Sequence, residues 1–118
     1  MLKLYDYLEV ILEERNSRSW FFDSSLKYYA SDIMEKLNIK DDDDKALALT
    51  RTFQAFDSLQ IPLNRNFKKV YCFDGKNLIL DWKISTLACY MIVVNCNPSH
   101  EGVAKAQLYF AMKQSPLK

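Results

Sequence analysis

Apolar residues recur every three or four positions along most of the chain, with charged and polar residues between them. Near the N-terminus this spacing predicts an amphipathic helix over about residues 2–15. The same periodicity, with helix-capping residues at the starts, predicts four further helices. We expect them at about residues 31–38, 43–58, 86–95 and 99–113. The pattern therefore indicates a mostly helical protein with about five helices.

Two of these helices carry the clearest candidate core positions. For the helix over 43–58 the expected core residues are Ala46, Leu47, Leu49, Phe53, Phe56 and Leu59. For the last helix they are Val103, Ala106, Leu108, Tyr109, Phe110 and Met112. Ser31 and either Ser85 or Thr86 are expected to cap helix starts.

One segment departs from the helical pattern. Pro62 ends the preceding helix, and the runs "FKKVYCF" and "LILDW" are rich in β-forming residues. Asp74-Gly75 between them is a turn signal. The segment predicts a β-hairpin with strands near 67–73 and 77–83. "LKYYA" is a second, short β-prone run, so the fold class expected is α+β with the hairpin packed against helices.

Size and composition favour a single folded domain over residues 1–118. Glycine (2) and proline (3) are scarce, which argues against a linker-rich chain. No window approaches 18 consecutive apolar residues, and Asp6 and Glu9 interrupt the N-terminal apolar pattern. We therefore expect neither a membrane span nor a signal peptide. Three cysteines without a CxxC pair fit free thiols in a reducing compartment, so the expected location is the cytoplasm.

Charge is unevenly divided along the chain. Residues 1–50 carry 7 Lys+Arg and 11 Asp+Glu, a net charge of −4, whereas residues 51–118 carry 9 and 4, a net charge of +5. The predicted hairpin and its flanks hold five of the basic residues, which are candidates for phosphate contacts: Arg65, Lys68, Lys69, Lys76 and Lys83. Phe67, Tyr71 and Phe73 could stack on bases if they face outward. The alternative is that these aromatic rings pack in the core and the lysines are merely solvated.

Reactive chemistry has weaker support. Cys72, Cys89, Cys96 and His100 could form a zinc site, but the tight Cys-x₂₋₄-Cys spacing is missing. Cys96 with His100 could form a nucleophile and base pair. The "DDDDK" run over 41–45 fits the first turn of a helix, where aspartates favour the helix dipole, better than a divalent-cation site. Phosphate-loop, zinc-protease and hydrolase motifs are absent. We therefore expect a non-catalytic protein without a metal or cofactor.

The stretch "ISTLACYMIVVNCNPSHEGVAKAQLYFA" over 84–111 resembles the core domain of the DNA-damage-inducible protein D family, which is related to phage antirepressor modules of the Bro-N type. Its hallmark has the form "LSRYACYLI…NGDP…IA…AQ.YFA". Upstream, "YYASDIMEKLNI" and "NFKKV" are similar to two further family segments, so the resemblance spans about 27–113. Cys96 stands where the family has a turn glycine, and residues 1–16 look like an added helix.

The resemblance implies DNA binding or control of processes linked to DNA damage or phage, without catalysis. Our leading hypothesis is a small DNA-associated regulator of a bacterium or mobile element that uses the basic hairpin. The second hypothesis is a protein-interaction module that forms a homodimer or acts on a recombinase filament or a host defence complex. In the second hypothesis exposed apolar residues would form the interface: Leu4, Leu8, Trp20, Phe21 and Phe22.

Overall fold

A computed structural model describes residues 4–15, 26–73 and 75–114 of the chain. Within these ranges the elements follow in the order α1 Leu4–Arg15, β1 Tyr28–Tyr29, α2 Ala30–Lys36, α3 Asp42–Ser58, α4 Leu63–Asn66, β2 Phe67–Phe73, β3 Leu78–Ile84, α5 Thr86–Asn95 and α6 Glu101–Gln114. The α+β class and the predominance of helix are confirmed. The described residues contain six helices rather than about five, because the single turn α4 after Pro62 is too short to produce a periodic pattern.

The strands form one antiparallel sheet in the order β1-β3-β2. The predicted hairpin is confirmed, with β3 beginning one residue later than expected. All seven residues of β2 pair with β3, from Phe67 opposite Ile84 to Phe73 opposite Leu78. Gly75 in the turn has φ +101°, a backbone conformation that side chains disfavour, so glycine fits this position. The "LKYYA" run supplies β1, whose two residues pair with the base of β3.

Helix α5 lies at the centre of the core. Its sequence, "TLACYMIVVN", has apolar residues on every side, which is typical of a helix surrounded by other elements. It packs against α1, α2, α3 and α6. Leu8 and Ile11 of α1 are fully buried in the same core as Ile92 and Val93 of α5. Helix α1 is therefore an integral part of the domain. None of the helices formed by the described residues is long and apolar enough to cross a lipid bilayer.

Helix α3 follows the prediction in part: Phe56 is buried, and Leu49 and Phe53 pack against the core. Ala48, Thr52 and Phe56, spaced four residues apart, face the core. Leu47 and Leu59 are exposed instead, and Thr52 is buried because its hydroxyl donates to the Ala48 carbonyl oxygen at 2.8 Å. Ala46 is exposed as well. The prediction was wrong for Ala46, Leu47 and Leu59, and it left out a threonine that satisfies its own hydrogen bond.

Helix α6 follows the prediction only in part. Val103, Ala106 and Phe110 are buried, as expected from their spacing. Leu108 and Met112 are exposed, because they lie on the opposite side of the helix. The ring of Phe110 stacks on Tyr90 of α5, with centroids 4.8 Å apart.

The caps connect the helices to the sheet. Ser85 caps α5, since its hydroxyl oxygen accepts from the Ala88 N–H at 3.1 Å, and it also donates to Asn66 Oδ1 at 2.6 Å. Ser31 does not cap α2 as predicted; the helix begins after Tyr29, which makes no side-chain cap. The Ser31 hydroxyl instead donates to Asp81 Oδ2 at 2.6 Å. That bond fastens α2 to β3 at the base of the hairpin.

Candidate nucleic-acid and protein interface on the hairpin

The hairpin has two faces, because residues directly opposite each other in an antiparallel pair point to the same side. We call one side the inner face. It comprises Phe67, Lys69, Tyr71 and Phe73 of β2 with Leu78, Leu80, Trp82 and Ile84 of β3. The outer face comprises Lys68, Val70 and Cys72 of β2 with Ile79, Asp81 and Lys83 of β3.

The base of the inner face packs on the helical body. Phe67 meets Phe53 and Phe56 of α3 edge-on, with centroids 4.9 and 5.3 Å apart. The rings of Trp82 and Phe53 are in contact, with centroids 5.4 Å apart, and Lys69 Nζ lies 5.7 Å from the centroid of the Trp82 ring. Phe67 therefore cannot stack on a base, since its ring belongs to the core.

Beyond this base, the hairpin exposes its apolar side chains. We call residues 71–73 and 78–80 the distal arm. Phe73 is 74% exposed, Leu78 60% and Tyr71 59%, all on the inner face. Ile79 and Cys72 on the outer face are exposed as well. An apolar surface of this extent on a two-stranded ribbon is typical of an interaction site, because an isolated hairpin gains little from leaving such residues in water.

The outer face carries a pair of like charges. Lys68 lies directly opposite Lys83, an arrangement that is unfavourable unless a counter-charge is nearby. Neither lysine forms an ion pair with any carboxylate in the described parts of the chain. Asp81, on the same face, is held by Ser31 and by the Trp82 backbone N–H at 2.7 Å. The two ammonium groups are thus available to an anion from outside.

The five predicted phosphate contacts do not form one surface. Lys68 and Lys83 share the outer face, whereas Lys69 lies on the inner face over Trp82. Lys76 lies in the turn and Arg65 on α4, both exposed. Only the Lys68–Lys83 pair is brought together by the register.

The predicted interface residues do not form one surface in the described structure. Trp20, Phe21 and Phe22 lie outside the described residues. Leu4 is half-buried against the core. Leu8 is fully buried, so its proposal as a contact residue is corrected: its side chain is part of the core and is not accessible to a partner. The sequence had made Tyr71 and Phe73 candidates for base stacking if exposed, and both are exposed. It did not indicate an apolar arm that includes Leu78, Ile79 and Leu80, although apolar residues on both faces of a short hairpin were a signal of it.

The cysteine and histidine residues are dispersed. Cys72 is exposed on the hairpin, while Cys89 and Cys96 are buried in the helical core. Burial, together with the nearby Asp44 carboxylate, raises the pKa of the Cys96 thiol to about 12. That thiol is neutral at physiological pH and unsuited to act as a nucleophile. Among the residues described, no cluster of three or more histidine, cysteine or acidic side chains could hold a metal.

His100 and the aspartate run have structural partners. His100 Nε2 lies 2.5 Å from Asp44 Oδ2, which connects the turn between α5 and α6 to the first turn of α3. Asp41 caps α3 by accepting from the Asp43 N–H at 2.9 Å. The aspartates therefore serve the start of a helix, in agreement with the dipole interpretation.

The turn between α5 and α6 is closed by a side chain. Gln107 Nε2 donates to the carbonyl oxygens of Val93 and Cys96, at 3.0 and 3.2 Å, and so satisfies the C-terminal end of α5. Cys96 has φ −73°, so this position does not require glycine.

No protein-family model matches the chain, and comparisons with characterised proteins and with solved structures find no significant match. The resemblance to the DNA-damage-inducible protein D family is therefore carried by the sequence motifs alone.

Proposed function

We propose that this protein is a small, non-catalytic DNA-associated regulator that contacts phosphates with the outer face of its hairpin. The observation that carries the proposal is the Lys68–Lys83 pair, two opposed ammonium groups that form no ion pair with a carboxylate of the described residues. Two-stranded ribbons lie against DNA in several protein classes, and phosphate contacts supply most of their affinity. Lys76 and Arg65 are exposed as well, but the register of the sheet does not place them beside this pair.

The proposal agrees with the family that the sequence resembles, which links it to DNA damage or phage control in a bacterium or mobile element. Three free cysteines fit a reducing compartment, so the cytoplasm is the proposed location.

The test is the binding of a labelled 20-base-pair duplex to purified protein, followed by fluorescence anisotropy at 50 mM salt. We expect micromolar affinity, and a loss of at least about tenfold in the double variant Lys68→Gln/Lys83→Gln. Lys40→Gln/Lys105→Gln removes the same charge from exposed sites outside the hairpin strands and should leave binding within about twofold. If wild-type protein retains no DNA at micromolar concentration, the proposal is wrong.

The second candidate is a protein-interaction module, favoured by the exposed distal arm. Phe73, Tyr71 and Leu78 are the residue types that dominate protein interfaces when they are buried by a partner. A recombinase filament on single-stranded DNA is the partner that the family resemblance suggests. Co-sedimentation with such a filament, lost in Phe73→Ser but kept in Lys68→Gln/Lys83→Gln, would favour this candidate over direct DNA contact. If the wild-type protein does not co-sediment with the filament, the recombinase filament is excluded as the partner.

A further inference from the structure

The β2 strand lies at the edge of the sheet. In the sheet order β1-β3-β2, one side of β2 has no strand beside it among the described residues. The Ser85 N–H donates to the Asn66 carbonyl oxygen, so Asn66 and every second residue after it point their backbone groups toward β3. Phe67 points the other way, since its N–H donates to Leu63. The backbone groups of Lys69, Tyr71 and Phe73 therefore face the open edge.

A second copy of the same chain fits this edge in one register better than in the others. We propose that two copies pair β2 with β2, antiparallel, about a two-fold axis at Val70. This register spans all seven residues of the strand and pairs the outward-facing backbone groups of Lys69 with those of Tyr71 of the second copy, while the Phe67 N–H keeps its bond to Leu63. Lys69 then lies opposite Tyr71 of the second copy, and Lys68 opposite Cys72. Lysines on an edge strand usually prevent such pairing, but here no two lysines meet.

The same register matches a projecting side chain to an apolar depression. Phe67 lies opposite Phe73 of the second copy, and both are on the inner face. Beside Phe67 is a depression of about 340 Å³ lined by Phe53, Leu63, Asn64, Phe67 and Trp82. A cavity of about 150 Å³ already accommodates benzene, so a phenyl ring fits. Leu63 lies on the side of the open edge, because its carbonyl oxygen accepts from the outward-pointing Phe67 N–H, so the depression reaches that side.

The pairing is reciprocal, as a two-fold interface requires. Each Phe73, 74% exposed in the single chain, is received by the depression of the other copy. The exposed Tyr71 of each copy comes to lie beside Lys69 of the other copy on the inner face. One interface thus accounts for the open edge, the exposed ring and the depression together.

The mass of the full chain in solution, without DNA, is the first test. At about 100 µM, light scattering or sedimentation should give twice the chain mass of 13.9 kDa. Phe73→Ser should weaken dimerisation at least about tenfold, because it removes two buried rings per dimer. The substitution should change the stability of the single chain little, because the Phe73 ring is exposed there. Leu108→Ser, an exposed apolar site on α6, is the matched control and should stay dimeric. A monomeric wild type, or a Phe73→Ser variant that remains fully dimeric, would overturn the proposal.

A cysteine cross-link tests the register. In a Cys72→Ala background, Val70→Cys places two thiols at a directly opposed pair whose Cα atoms are about 4.5 Å apart, within disulfide range. Mild oxidation should therefore give a covalent dimer. Lys68→Cys in the same background should not cross-link, because the two positions lie about 13 Å apart along the strands. Equal cross-linking at both positions would contradict this register. Both tests are independent of DNA, so their failure leaves the proposed function to its own experiment.

Discussion

Gly102 shows how one residue fixes the position of a helix. A Cβ atom at this position would collide with the carbonyl oxygen of Leu37, which lies just after α2. Because that obstacle is backbone, it cannot move aside as a flexible side chain would. The start of α6 can therefore approach α2 only with glycine here, and the sequence resemblance gave no reason for it.

Gly102→Ala should consequently destabilise the protein by about 1–3 kcal/mol, since overpacking against backbone forces the two helices apart. Helix propensity alone predicts the opposite sign, a gain of about 1 kcal/mol. Chemical denaturation measures the difference. Ala104→Gly, an exposed position of the same helix, is the control and should cost about 1 kcal/mol. A more stable Gly102→Ala protein would show that the close approach is absent.

The three thiols should differ in reactivity. Cys72 is exposed, whereas burial of Cys89 and the raised pKa of Cys96, about 12, protect the other two. At pH 8 a disulfide reagent should titrate one thiol quickly in native protein and three after unfolding. Cys72→Ala should remove the fast thiol. A second fast thiol would show that the helical core opens readily or that Cys96 is not buried.

At the scale of elements, the base of the hairpin is held by Ser85. Its hydroxyl caps α5 and also donates to Asn66, whose amide nitrogen in turn donates to the Pro62 carbonyl oxygen at 2.8 Å. These bonds connect the end of α4, the hairpin and the start of α5. The distal arm projects from this connected base.

Ser85→Ala should therefore lower the free energy of unfolding by more than the loss of an ordinary helix cap does. It leaves the Asn66 side-chain oxygen and the Ala88 N–H buried without partners, which together are worth about 2–4 kcal/mol. Asp41→Ala removes the exposed cap of α3 and should cost about 1 kcal/mol. Urea unfolding of both variants measures the two losses. The dependence of the free energy of unfolding on urea concentration should stay unchanged, so that the values can be compared directly. Equal losses would mean that Ser85 acts only as a cap.

How far the sequence predicts these elements depends on whether the signal is local. The hairpin was predictable because β-forming runs flank Asp74-Gly75, and the start of α5 because Ser85 precedes an apolar run. The Ser31–Asp81 bond depends on a distant contact, so local periodicity misses it, and the α4 turn is too short to show a period. The burial of Thr52 was missed because a threonine is not expected in a core. The two faces of the hairpin follow from alternation, but which aromatic rings are exposed does not. Phe67 is buried and Phe73 exposed only because α3 underlies one end of the ribbon.

At the scale of the whole molecule, the two proposals reinforce each other. Pairing β2 with β2 keeps like faces on one side of the joined sheet, because directly opposed residues share a face. The outer face of a dimer would then carry Lys68 and Lys83 from both copies. Four ammonium groups on one continuous surface form a stronger phosphate-binding surface than the single pair of one chain.

The salt dependence of DNA affinity tests this account most directly. With about four phosphates neutralised by the outer face, the logarithm of the association constant should fall with the logarithm of salt concentration with a slope of about −3 to −4 on duplex DNA. The slope should approach zero in Lys68→Gln/Lys83→Gln and stay unchanged in Lys40→Gln/Lys105→Gln. A wild-type slope no steeper than that of the Lys68→Gln/Lys83→Gln variant would contradict the account, because the outer-face lysines would then not contact phosphate.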